Sequence, residues 1–148
     1  SNNTLDAGMI REALGDDRRT SRVSDEERHT RLGQRPATLW LTGGRADTEE
    51  LAYALERNLY DRGFVAHVLK EPEGPNLSGQ GVRRLADGAH KCNNAGLVSI
   101  CVADATESVH AARAIVGGDR FVDLFLPKGS AIDLIALVDV VLDKITLV

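Results

Sequence analysis

Thr38-Leu39-Trp40-Leu41-Thr42-Gly43-Gly44, running on into Arg45-Ala46-Asp47-Thr48-Glu49-Glu50-Leu51, decides how this 148-residue chain is read. The first five residues form an unbroken apolar run, the pattern of a strand buried on both faces of a parallel sheet. A helix follows. Asp47 is placed to cap it, with Glu50 three residues on; Leu51, Leu55 and Leu59 recur at four-residue spacing, and Gly63 stands where such a helix ends. Outward from this unit, the pattern predicts a strand over 64–69 and a loop from Lys70 to Gly81 holding Pro72, Gly74, Pro75 and Gly79. It continues with a helix over 82–95 closed by Gly96, a strand over 97–102, a helix over 108–116 and a strand over 121–126. Pro127-Lys128-Gly129 turns the chain into a helix from Ile132 to about Leu142, and a short final strand is expected after it. Strands alternating with helices at these lengths predict a right-handed, doubly wound parallel α/β sheet in three layers.

Upstream the texture changes. From Gly15 to Pro36 the sequence is dense in Asp, Glu, Arg and Ser, with little to bury, which predicts a linker or loosely docked arm. The expected division is therefore residues 1–36 as an extension and 37–148 as the folded domain. A net charge of −4 lacks the basic footprint that nucleic acid or an anionic membrane demands. No apolar run approaches the roughly 20 residues of a membrane span, and the N-terminus carries no secretory pattern, so a cytoplasmic setting is expected. In that compartment Cys92 and Cys101 are read as two free thiols.

In such a fold the turn after the first strand is the natural phosphate site, because helix N–H groups and the helix dipole converge there. A Walker A loop needs G-x-x-x-x-G-K-[ST]: glycines for close approach, a lysine for the β- and γ-phosphates and a hydroxyl for magnesium. Counting from Gly43 places Thr48, Glu49 and Glu50 at the last three positions, and none meets the requirement. From Gly43, Gly44, Arg45 and Ala46 through Asp47 to Glu50, one arginine stands against three carboxylates, a formal balance of −2. Like charges about 4 Å apart repel by about 1 kcal/mol in water and by several in a partly dry cleft, so this loop is expected to reject a polyphosphate.

The framework around the loop resembles the opening of adenylylsulfate kinases. The resemblance rests on Thr38-Leu39-Trp40-Leu41-Thr42-Gly43, Leu51-Ala52-Tyr53-Ala54-Leu55-Glu56 and Leu59-Tyr60-Asp61-Arg62-Gly63 with Val68-Leu69. It resumes at Ala95-Gly96-Leu97-Val98-Ser99 and from Ala112-Arg113-Ala114-Ile115-Val116-Gly117 to Arg120-Phe121-Val122, covering most of 36–126. It implies a P-loop-kinase-like fold with a degenerate phosphate loop. The family's Asp-Gly-Asp-Asn run corresponds to Lys70-Glu71-Pro72-Glu73, and its arginine-bearing segment after the third strand to Ala103-Asp104-Ala105-Thr106. The basic lid that follows the fourth strand has no counterpart beyond Pro127-Lys128-Gly129. Three parts of one active site are thus missing together, which implies no catalytic residues, no bound cofactor and a structural or regulatory role. Two alternatives stand beside it: an allosteric site for an adenylyl nucleotide, and an active kinase with an unusual loop.

Residues 1–10 resemble the end of the elongation-factor-like GTPase subunit of bacterial sulfate adenylyltransferase. That resemblance implies a GTPase domain in the same polypeptide as a partner, leaves room for its small subunit and for a second copy of the chain, and places the whole in sulfate assimilation. Residual anion contacts, if the allosteric reading holds, would come from Arg45, Arg83 and Arg84, although paired arginines at a helix start are more often simply exposed. His29, His67, His90 and His110 do not combine with the cysteines into a ligand pattern, so no metal site is expected.

Overall fold

The four apolar runs are strands, and the computed structural model, which describes residues 21–70, 80–103, 108–129 and 131–147, fixes their bounds. Helix α1 (Asp25–Leu32) leads into β1 (Thr38–Gly43), α2 (Arg45–Asp61) and β2 (Ala66–Lys70). Then come α3 (Gln80–Asn94), β3 (Val98–Val102), α4 (Ser108–Val116), a 3-10 turn at Gly118–Arg120, β4 (Phe121–Leu126) and α5 (Leu134–Ile145). The strands pair in the order β2-β3-β1-β4, all parallel, with Thr38 level with Ser99 on one side and with Phe121 on the other.

Side-chain alternation along β1 builds two cores. Leu39 and Leu41 face α2 and α5, meeting Leu51, Leu55, Leu59, Val138, Val141 and Ile145. Trp40 faces the opposite side, with Leu85, Ala86 and Ala89 of α3, Ala112 and Val116 of α4, and Phe121. This is the expected three-layer α/β/α arrangement. Each Leu fully removed from water contributes about 2 kcal/mol, which is why the apolar period of the sequence fixes the layers. The indole N–H of Trp40 donates to Ser108 Oγ at 3.1 Å, so burying the ring leaves no polar atom stranded. Asn93 performs the same service among backbone groups: its amide donates to the carbonyls of Ala37 and Leu97, and its Oδ1 accepts from Thr38 Oγ1 at 2.8 Å. No helix among the described residues is long and apolar enough to cross a membrane.

The structure departs from the sequence reading in four places. First, part of the polar arm is folded and docked. Ser24 and Glu27 form a reciprocal capping box on α1, and the amide and hydroxyl of Ser24 hold the Glu27 carboxyl below the usual carboxylate range. Charged surface hides this helix from a reading based on apolar content. Docking follows through Arg28, which donates to the Asn94 carbonyl, and above all through Gln34, which is fully buried. The Gln34 amide donates to the carbonyls of Val65 and Gly96 at 2.8 and 2.9 Å, its oxygen accepts from Val65 N–H, and Arg35 N–H donates to the Ile145 carbonyl. Residues 1–10, which resemble the end of the GTPase subunit, lie outside the described residues.

Second, α2 starts at Arg45, so Asp47 is not its cap; Gly44 holds that position and no side chain caps the helix. Third, β2 starts at Ala66 rather than Phe64. Fourth, α5 runs on to Ile145, which is fully buried, and no strand follows it among the described residues. Core burial of Val138, Val141 and Ile145 keeps the helical period past Leu142 and overrides the β-branched local preference.

Candidate functional site

The residues expected to cradle a phosphate form a bare turn. Strand β1 ends at Gly43, α2 begins at Arg45, and Gly44 alone joins them. Gly43 sits at φ +133°, and a Cβ there would run into the carbonyl oxygen of Leu126, its neighbour on β4. Of the two glycines, Gly43 is the one that the close approach of β4 requires. Thr48, Glu49 and Glu50, counted as the end of a loop, already belong to the helix; Thr48 is buried and donates from its hydroxyl to the Arg45 carbonyl at 3.0 Å. Arg45 is spent as well, its Nε lying 2.9 Å from Glu49 Oε1.

Pairing Arg45 with Glu49 leaves Asp47 and Glu50, both exposed, on one wall of an open cleft of about 380 Å³. The rest of that wall and the facing one are apolar: Leu51, Leu126, Ile132 and Leu134. Sequence reading found the two carboxylates but not the cleft, since only the tertiary fold brings residues from after β4 against α2. Arg83 and Arg84 are exposed on α3, which covers the opposite face of the sheet, so the structure does not gather the three arginines into one site. Residues 71–73 and 104–106, matched above to the family's acidic and arginine-bearing segments, lie outside the described residues.

Two further features lie near the strand ends. Thr42 Oγ1, at the C-terminal end of β1, is buried without a hydrogen-bond partner. Cys101 is wholly buried on β3, and desolvation pushes its thiol far above the ordinary cysteine range, with Cys92 adding a smaller effect in the same direction. We expect Cys101 to resist alkylation in the native chain and to react only on unfolding; modification of Cys101 at the rate of a free thiol under native conditions would contradict its burial. Among the described residues no group of three His, Cys, Asp or Glu side chains is placed to hold a metal ion.

A parallel β2-β3-β1-β4 sheet with a helix springing from the end of its central strand is the architecture of P-loop kinases. Solved structures of Mycobacterium tuberculosis APS kinase CysC agree. A Cys556Ala mutant superposes with a TM-score of 0.61 at 21% identity, covering 74% of this chain and 96% of that one. The complex with AMPPNP and APS gives 0.60 at 17% identity, over 74% and 97%. In sequence, the chain is 34% identical over 116 residues to the bifunctional enzyme CysN/CysC of Rhodopirellula baltica, covering 68% of this chain. It is 30% identical over 127 residues to an adenylyl-sulfate kinase of Phocaeicola vulgatus, covering 74% of this chain. The chain spans 18% of the first relative's length and 59% of the second's. No family model matches it. The chain is an adenylyl-sulfate-kinase-like domain.

Proposed function

We propose that this domain is a catalytically silent adenylyl-sulfate-kinase-like module of a sulfate-activating enzyme, with a structural or regulatory role. The one-residue connection between β1 and α2 carries the reading. A phosphate loop works by wrapping backbone N–H groups around the β-phosphate and aiming a lysine at the transferred group. One glycine supplies no such ring, the only cation of the turn is bound to Glu49, and Asp47 and Glu50 set negative charge where the polyphosphate would lie. Loss of the acidic run at Lys70 to Glu73 and of the arginine near Ala105 supports the same conclusion from sequence. The fusion in the Rhodopirellula relative supports a place beside a GTPase domain in one polypeptide.

A steady-state assay with ATP and adenylylsulfate tests the reading. No phosphorylation above background is expected, where working kinases turn over about 1–100 times per second. Turnover in that range would overturn it. Titration with ATP, adenylylsulfate and its 3′-phosphorylated product should show no saturable heat; tight binding of any of the three would point to the allosteric alternative.

A further inference from the structure

The cleft beside the β1–α2 turn combines an apolar surface with uncompensated negative charge. Leu51, Leu126, Ile132 and Leu134 line it, and Asp47 and Glu50 are the charged side chains among its described lining. Ile132 is 39% exposed and Ile135, the residue after Leu134, 72%, so apolar surface stays open to water here. Neither carboxylate is neutralised from within the chain. Arg45 is held by Glu49, and Lys128, exposed next to Gly129, forms no ion pair among the described residues. Asp47 and Glu50 stand three apart on α2, which sets their Cβ atoms about 5–6 Å from each other on one side of the helix.

These features select the occupant by elimination. An anion is repelled by both carboxylates. A bare hard cation wants six or more oxygen ligands, and two carboxylates on an otherwise apolar wall do not supply them. What fits is a cation carried on an apolar stem. Arginine suits the spacing best, because its planar guanidinium has five N–H donors and can serve two carboxylates at once while its methylenes lie along Leu51 and Leu126. The form of the cleft favours a polypeptide over a free small molecule: small ligands bury most of their surface in a pocket, whereas this cleft is open. Aliphatic side chains on either side of the arginine would cover Ile132 and Leu134.

We propose that this cleft is a docking site for a partner polypeptide that presents an arginine flanked by aliphatic residues. The proposal rests on catalytic silence in one respect, that no polyphosphate occupies the turn; its test contains no nucleotide, so its failure would leave that reading untouched. The probe is the peptide acetyl-Ala-Leu-Arg-Ile-Ala-amide, added to the isotope-labelled full chain and followed by NMR. The amide signals of Asp47, Glu50, Leu51 and Leu134 should move together and saturate with a Kd of about 1 mM or tighter. The same peptide with citrulline in place of arginine keeps the shape without the charge and should bind about tenfold more weakly. Asp47→Asn and Glu50→Gln should each weaken the arginine peptide about threefold, and the double variant about tenfold. Ile132→Ser should weaken both peptides, which separates apolar contact from charge. Glu56→Gln, on α2 but outside the cleft lining, is the control and should change nothing. All of these positions except Glu56 line an open cleft, and circular dichroism checks that each variant folds. No saturable movement up to about 10 mM peptide, equal binding of the citrulline peptide, indifference to the double variant, or signals that move elsewhere on the domain would each overturn the proposal.

Discussion

A chain cut to begin at Ala37 should not fold. Composition alone places the domain boundary there, yet the cut removes Gln34, whose side chain joins the start of β2 to the turn before β3, and Arg35, whose N–H joins the end of α5. Val65 N–H and the Gly96 carbonyl would lose their Gln34 partners, each at a cost of about 1–3 kcal/mol where water cannot replace it. Loss of α1 would also uncover Gly96, against which Leu32 packs. The sum is of the order of 5 kcal/mol, comparable to the whole stability of a small domain. Thermal and urea denaturation followed by circular dichroism would check this: the full chain should melt cooperatively and the truncated chain should not. Gln34→Ala in the full chain isolates the clamp, with an expected loss of about 2–4 kcal/mol. An unchanged melt in either variant would mean that the arm is dispensable.

Gly43→Ala should be the most damaging single substitution in the turn. The residue has φ +133°, where L side chains are strained, and its Cβ would press on the main chain of β4 instead of on a side chain able to move aside. We expect a loss of about 3 kcal/mol or more and a fall in Tm of about 10 °C. Gly44→Ala is the control. Gly44 has φ −67°, and the nearest atom to an added Cβ is Asp47 Oδ2 at 3.6 Å, an ordinary contact. Its substitution should be neutral to within about 0.5 kcal/mol. Equal damage at the two positions would show that the turn is held by something other than the approach of β1 to β4.

The strands and their layering were legible because the signal is dense: five consecutive core residues in β1, and leucines at helical spacing in α2. What remained hidden was polar or tertiary. Helix α1 has no buried residue, so hydrophobic period cannot find it, and only the Ser24–Glu27 capping pair marks it locally. Gln34 looks like any linker glutamine until β2 and β3 close around it. Asp47 reads as a good cap because its chemistry suits the role, but the cap falls at Gly44, three residues earlier. At the site, the sequence exposed the missing lysine and the excess of carboxylates. Joining Asp47 and Glu50 to Leu126 and Ile132 in one cleft depends on the path of the chain after β4, which no local pattern encodes.

The short β1–α2 connection also limits what descent can undo. A glutamate codon becomes a lysine codon by one base change, so Glu49 by itself would be a shallow barrier to recovering a phosphate-binding cation. Length is a different kind of barrier. With the helix starting at Arg45, a lysine at position 49 stands on the second turn of α2, and no substitution creates the missing span of chain ahead of it. Recovery would need an in-frame insertion between a strand terminus seated on Leu126 and a helix already anchored in the core, followed by separate repairs elsewhere. Every intermediate would bear the cost of a longer turn before gaining any use for it. On the reading proposed above, a lineage carrying this connection is committed, and selection acts on the domain for what its surfaces do.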